Sequence, residues 1–211
     1  RRMTTVLSTI ARVPPQRSWD NREREVSIAA MLLCDGEVRG RYHKVLLPIY
    51  DLFDEARNFA PGSRPNLVWR IGDVVAGVSI CEDLWSPDGP PEAQSAAGAQ
   101  ILLVPNASPF HRGKASSRLD LTRKVAIRNG VPVVYVNCVG GLEDLVFDGG
   151  SIVVDGEGTL LARGADLVGA ATVELHLHGV ALLGRQCLPA LRLLERPGRQ
   201  RRHVATDGLA G

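Results

Sequence analysis

The chain has 211 residues, 45% of them hydrophobic and 23% charged, with a formal net charge of +2. That length suits one substantial core, and so small a charge gives no electrostatic footprint for nucleic acid. No apolar run reaches the roughly 18 residues a bilayer span needs, and the start Arg1-Arg2-Met3-Thr4 lacks the apolar core of a signal segment, so we expect a soluble, cytoplasmic protein with no membrane contact.

Residues 1–25 are poorly patterned: Pro14-Pro15 and the charged run Arg17 to Glu25 are expected to break any element. Regular structure is predicted to begin at Val26, with a near-continuous apolar strand to Leu33. Asp35-Gly36 is a two-residue hairpin signal, and the return strand runs from Val38 to about Lys44. Beyond Pro48 a short helix is expected over 51–59, closed by Ala60-Pro61-Gly62. Strands 67–71 and 74–80 flank a second hairpin turn at Gly72-Asp73. A proline-rich loop leads to a small helix over 92–98. Ile101 to Val104 is a short buried strand. Residues 116–129 read as an amphipathic helix on Leu121, Val125 and Arg128, stopped by Asn129-Gly130 and Pro132. Val133 to Asn137 is a further buried strand, residues 149–162 form a hairpin about Asp155-Gly156-Glu157-Gly158, and 168–175 is a last strand. From Arg185 onward arginines accumulate without well-bounded elements.

Hairpins interrupted by helices imply mixed sheets with helices packed on them. Runs apolar on both faces, such as 101–104 and 133–137, imply sheets covered on each side. The organisation expected is a poorly patterned segment over 1–25, one domain over 26–195 and an Arg-rich tail over 196–211.

The four cysteines, Cys34, Cys81, Cys138 and Cys187, form no C-x-x-C pair, which disfavours zinc clusters and disulfide scaffolds. Cys34 and Cys138 lie in apolar runs and read as small core residues. His176-x-His178 and the other histidines show no metal-ligand spacing, so no metal is expected. Asn106-Ala107-Ser108 is a glycosylation sequon of low specificity, and Gly113-Lys114-Ala115 lacks the upstream glycine and the Ser/Thr of a phosphate loop.

The chemistry-bearing candidate is Gly77-Val78-Ser79-Ile80-Cys81-Glu82-Asp83-Leu84-Trp85, where an apolar run ends at a thiol followed by two acids. Amide cleavage by a thiol needs loss of its proton, donors for the tetrahedral oxyanion and a proton for the departing amine. Cys81 at a strand end suits the nucleophile. The backbone N–H of Glu82 and the ammonium of Lys44, which closes the earlier strand, suit the donors, and the Lys44 charge would favour the thiolate. Taken singly, a strand-end cysteine is more often structural and a lone lysine is usually a solvated surface group.

Around these residues the words Tyr42-His43-Lys44-Val45-Leu46-Leu47-Pro48, Phe53-Asp54-Glu55, Phe59-Ala60-Pro61-Gly62, the Cys81 segment, Val104-Pro105-Asn106-Ala107-Ser108-Pro109-Phe110, Tyr135-Val136-Asn137-Cys138-Val139-Gly140-Gly141 and Phe147-Asp148-Gly149-Gly150-Ser151 occur in that order. The series, over roughly residues 26–175, resembles the nitrilase (carbon–nitrogen hydrolase) superfamily, and within it the glutaminase domain of glutamine-dependent NAD+ synthetases. The resemblance implies an α/β fold, an α-β-β-α sandwich of two mixed sheets covered by helices, and a homo-oligomer. It implies Cys81 as nucleophile, Lys44 as oxyanion donor and Glu55 as a supporting glutamate. Tyr50, Ser108 and Lys114 are implied as glutamine-binding positions, with Glu82 and Asp83 shaping the site or capping the turn after Cys81. The activity implied is release of ammonia from the glutamine side chain for NAD+ synthesis, without a cofactor. The ATP of the synthetase reaction would belong to a synthetase domain or subunit whose phosphate loop this sequence lacks. The family's general base, a glutamate at the end of an early strand, has no counterpart in residues 1–25, so the sequence reads as a fragment without the first strand, first helix and base. A stand-alone amidase acting on another small amide, or an inactive remnant, are the alternative expectations.

Overall fold

Alternation along the strands sets the architecture. In Val133 to Asn137 the side chains of Val134 and Val136 enter one apolar cluster while Val133 and Tyr135 enter another. Leu103 is likewise separated from Leu102 and Val104, and Val153 from Ile152 and Val154. A strand apolar on both faces has to be covered on both.

The computed structural model describes residues 3–17, 23–166, 172–176, 179–180 and 190–194. In chain order the elements are β1 (Met3–Arg17), β2 (Glu23–Cys34), β3 (Glu37–His43), α1 (Glu55–Asn58), β4 (Val68–Ile71), β5 (Val74–Val78), a 3-10 turn (Cys81–Leu84), α2 (Pro90–Ala96), β6 (Ile101–Asn106), α3 (Lys114–Asn129), β7 (Val133–Asn137), β8 (Val139–Leu142), β9 (Leu145–Asp148), β10 (Ile152–Val154), β11 (Leu160–Arg163), β12 (Thr172–His176), β13 (Gly179–Val180) and β14 (Ala190–Leu194). One sheet has the order β13-β12-β14-β1-β2-β3 and the other β11-β10-β7-β6-β5-β4, with β8-β9 as a separate ribbon. Both large sheets are mixed: β12 and β14 are parallel in the first, β5, β6 and β7 in the second, and the remaining pairs are antiparallel.

The two sheets pack face to face through Val6 of β1, Ala30 and Leu32 of β2 and Tyr42 of β3 on one side, and Ile71, Val78, Leu103, Val134, Val136 and Val153 on the other. On the far face of the second sheet, Leu102, Val104, Tyr135 and Val154 pack with Val125 and Ala126 of α3. The arrangement is a mixed α/β sandwich, as expected.

The hairpins form where the turn residues place them. Asp35 and Gly36 take positive φ (53° and 81°), the pairing needed for a two-residue turn between twisted strands. Helix α3 ends at the predicted stop, with Gly130 in the left-handed conformation. Its buried stripe is polar at one end, however: Arg118, Thr122, Val125 and Ala126 are buried, whereas Leu121 is only half-buried and Arg128 reaches Glu92 and the carbonyl of Pro87.

Several expectations are corrected. Residues 3–17 form a full strand despite Pro14-Pro15. The ladder with β2 shifts register between Arg12 and Gln16, so the two residues that cannot donate to a ladder lie in the irregularity. The helix expected over 51–59 shortens to α1, because Asp51 takes a φ of 52° and Phe53 N bonds back to Tyr50 O as a turn. Strand β14 lies in the arginine-rich region read as having no element, and its partner β1 is remote in sequence. Cys34 and Cys138 are half-buried rather than core, one next to a hairpin turn and the other just past β7. Cys187, His178 and the tail 196–211 lie outside the described residues.

Candidate active site

Parallel strands bring the residues at their C-terminal ends to one edge of a sheet, which is where open α/β sheets place their sites. Here β5, β6 and β7 run parallel with Val78 opposite Leu103 and Asn106 opposite Asn137. Cys81 comes shortly after β5, Ser108 shortly after β6, and Asn137 ends β7. Lys44 arrives from the other sheet, one residue past β3.

The Lys44 backbone is fixed at both polar atoms: its N–H donates to Ile28 O (2.8 Å) and its carbonyl accepts from Gly62 N (2.7 Å). Gly62 is required by that approach, because a Cβ there would lie 2.0 Å from His43 O. The Lys44 side chain is 1% exposed and its Nζ donates to Glu55 Oε2 at 2.5 Å. An ammonium this deep needs a counter-ion, and the short helix α1 supplies it.

Cys81 opens the 3-10 turn with a φ of 45°. Non-glycine residues rarely hold this conformation, and it concentrates at functional positions. Burial pushes the thiol up to about 11. The Lys44 charge opposes that rise, while Glu55, Glu82 and Asp83 add to it. Burial also raises Glu55, against the pull of Lys44. Lys44, Glu55 and Cys81 therefore lie close enough to act on one another's ionisation.

Of the expected binding positions, Tyr50 and Lys114 reach the Cys81 turn or the residue after it, and Ser108 lies just past β6. Tyr50 OH donates to Glu82 Oε1 (2.7 Å). Its pKa is raised by burial and then by Glu82, with Cys81 also contributing. Lys114, the first residue of α3, places its Nζ 4.7 Å from the ring centroid of Trp85, just past the Cys81 turn. Ser108 is buried and heavily held: its N–H donates to Asn137 Oδ1 (2.8 Å), and its carbonyl accepts from Arg118 (2.7 Å) and Asn137 (3.2 Å). Its Oγ accepts from Arg118 Nε (3.2 Å). Arg118 is itself paired with Asp148 at 2.7 Å.

Sequence reasoning passed over Arg118 and Asn137 as holders of Ser108, over Asp148 as the partner of Arg118, and over Tyr135, a buried phenol kept protonated chiefly by burial. One signal was present: Arg118 sits on the same helical stripe as Thr122 and Val125, and an arginine on a buried stripe implies a buried partner. Among the described residues no group of three or more His, Cys, Asp and Glu is placed to hold a metal ion, and no helix is long and apolar enough to cross a membrane.

A mixed sandwich with a half-buried thiol, a buried ammonium and a half-buried carboxylate beyond one sheet edge carries the groups that amide cleavage by a thiol needs. The carbon–nitrogen hydrolase family model matches residues 11–184, and the chain belongs to that family. It is 45% identical over 138 residues to a glutamine-dependent NAD(+) synthetase of Thermotoga maritima, covering 64% of this chain and 24% of the relative. It is 47% identical over 132 residues to the synthetase of Xylella fastidiosa, covering 61% and 24%. The chain thus spans about a quarter of the length of these relatives. Among solved structures, glutamine-dependent NAD+ synthetase from Acinetobacter baumannii superimposes with a TM-score of 0.68 at 32% identity, over 77% of this chain and 29% of that one. A Nesterenkonia amidase of the nitrilase superfamily gives 0.61 at 32% identity, over 76% and 56%. The chain is a carbon–nitrogen hydrolase domain homologous to the glutaminase part of glutamine-dependent NAD+ synthetases.

Proposed function

We propose that this domain cleaves the side-chain amide of glutamine and releases ammonia, with Cys81 as nucleophile. The observation that carries the reading is the buried Lys44 ammonium, whose segment hydrogen-bonds to Asp83 of the Cys81 turn, with the backbone of Cys81 held in the left-handed region. A thiol raised to about 11 needs a base. Glu55 suits that role: its pKa is raised, and among the described residues its second oxygen accepts no hydrogen bond. The thiolate attacks the amide carbon, and the carbonyl oxygen takes up the charge between Lys44 Nζ and the backbone N–H of Glu82. The acquired proton passes to the amide nitrogen, ammonia leaves, and a thioester remains on Cys81. Water then adds to the thioester, releasing the carboxylate product and restoring the thiol. Tyr50, Ser108, Lys114 and Glu82 hold the polar ends of the substrate. The ammonia is consumed by a synthetase domain or subunit outside this chain.

Purified protein should release ammonia from glutamine, and Cys81→Ala should abolish this release. A glutamine-like diazo-ketone should label Cys81 stoichiometrically. Equal background rates in both proteins, with no labelling, would overturn the reading and leave the inactive remnant.

A second reading, a stand-alone amidase for another small amide, is supported by the likeness to the Nesterenkonia amidase, which superimposes over nearly as much of this chain as the synthetase structure does, 76% against 77%. A substrate screen in which another amide turns over while glutamine is inert would select it.

A further inference from the structure

Lys44 and Cys81 belong to different sheets, and a buried ion pair with Glu55 does not by itself fix the ammonium relative to the sulfur. One residue spans the two. Asp83 is fully buried in the 3-10 turn that Cys81 opens. Its Oδ1 accepts from Val45 N (3.2 Å) and Leu46 N (2.9 Å), the two backbone amides after Lys44. Its Oδ2 accepts from the hydroxyl of Tyr42 (2.7 Å), two residues before Lys44, and from Ile80 N (2.9 Å), immediately before Cys81. Four donors, three from the Lys44 segment and one from the Cys81 turn, converge on one carboxylate.

We propose that Asp83 is a positioning residue: its carboxylate clamps the segment carrying Lys44 onto the turn carrying Cys81 and so sets the ammonium against the sulfur. The inference rests on the reading of those two residues as oxyanion donor and nucleophile. A carboxylate is the side chain for this place because it is acceptor-only and has two oxygens with room for four donors. An amide of the same shape substitutes a donor for one oxygen, which leaves buried backbone N–H groups facing an N–H on whichever side it lies.

The charge of Asp83 gives the test its sign. A negative group close to a thiol disfavours the thiolate, so removing the charge alone would speed alkylation of Cys81. Loss of the clamp lets Lys44 move away and slows it. We expect Asp83→Asn to alkylate at Cys81 with iodoacetamide about tenfold more slowly at pH 8, the thiolate population lost with one pKa unit of help. We also expect it to lower kcat for glutamine with KM within about twofold of the parent, as for an interaction used in the transition state. In a Lys44→Met background Asp83→Asn should slow alkylation no further, because the clamp acts through the lysine. Alkylation at or above the parental rate in a folded variant, or a change confined to KM, would overturn the proposal. If Asp83→Asn does not fold, Tyr42→Phe decides: it keeps the carboxylate and removes one donor, so alkylation about twofold to threefold slower supports the clamp and an unchanged rate rejects it. Alkylation does not require glutamine turnover. A protein inert toward glutamine that still shows the slowing would refute the glutaminase reading and leave the clamp standing.

Discussion

Cys81 is held with φ at 45°, in a turn whose burial and three neighbouring acids all favour the neutral thiol, with Lys44 opposing them. With the thiol pushed up to about 11, only about one sulfur in a thousand is ionised at pH 8. Alkylation of Cys81, followed by peptide mapping across pH 7 to about 10.5, should therefore rise about tenfold per unit without the plateau an ordinary thiol reaches near 9. Lys44→Met should lower the rate at every pH in that range, because the remaining neighbours all disfavour the thiolate. The identities of the thiol, the lysine and Glu55 were legible from the order of short motifs. The strain at Cys81 was not, since positive φ at a non-glycine residue is imposed by surrounding structure rather than by local preference. Lys44 itself argues the same way: alone in sequence it reads as a surface group, and only the placement of α1 provides the counter-ion that lets it be buried.

At the level of elements, Ser108 depends on a frame made by α3, β7 and β9. Arg118 joins the Ser108 loop to Asp148, and Asn137 clamps the Ser108 backbone from the end of β7. With the two side chains 1% and 7% exposed, removing one partner strands a buried charge. Asp148→Ala should cost about 3–5 kcal/mol in urea unfolding with an unchanged m-value. It should also weaken glutamine binding by releasing Ser108. Hairpins and helix ends were readable because Asp35-Gly36, Gly72-Asp73 and Asn129-Gly130 act through their own backbone. The Arg118 frame escaped because its partner lies 30 residues away. The helix predicted over 51–59 was over-extended for the converse reason: the composition suits a helix, but a turn at Tyr50 to Phe53 takes over its first half.

For the molecule as a whole, the space between the sheets is the structure's main apolar store, and β1 contributes to it from between β14 and β2. Val6 is fully buried there. Val6→Asp places an unpaired carboxylate between the sheets, a cost of several kcal/mol set against a total stability of about 5–15 kcal/mol. Loss of near-UV dichroism and of a cooperative urea transition should result. Retention of both would show that β1 does not belong to this core. By itself the sequence determined the class of fold, the family and the chemical groups at the strand ends, because alternation, turn residues and short ordered motifs are properties of neighbouring residues. Only the tertiary structure decided that the segments of Lys44 and Cys81 meet, that Asp83 bridges them, and that β14 pairs with β1. Each of those depends on a contact between residues more than thirty positions apart, whose formation is governed by the packing of two sheets and not by any local preference.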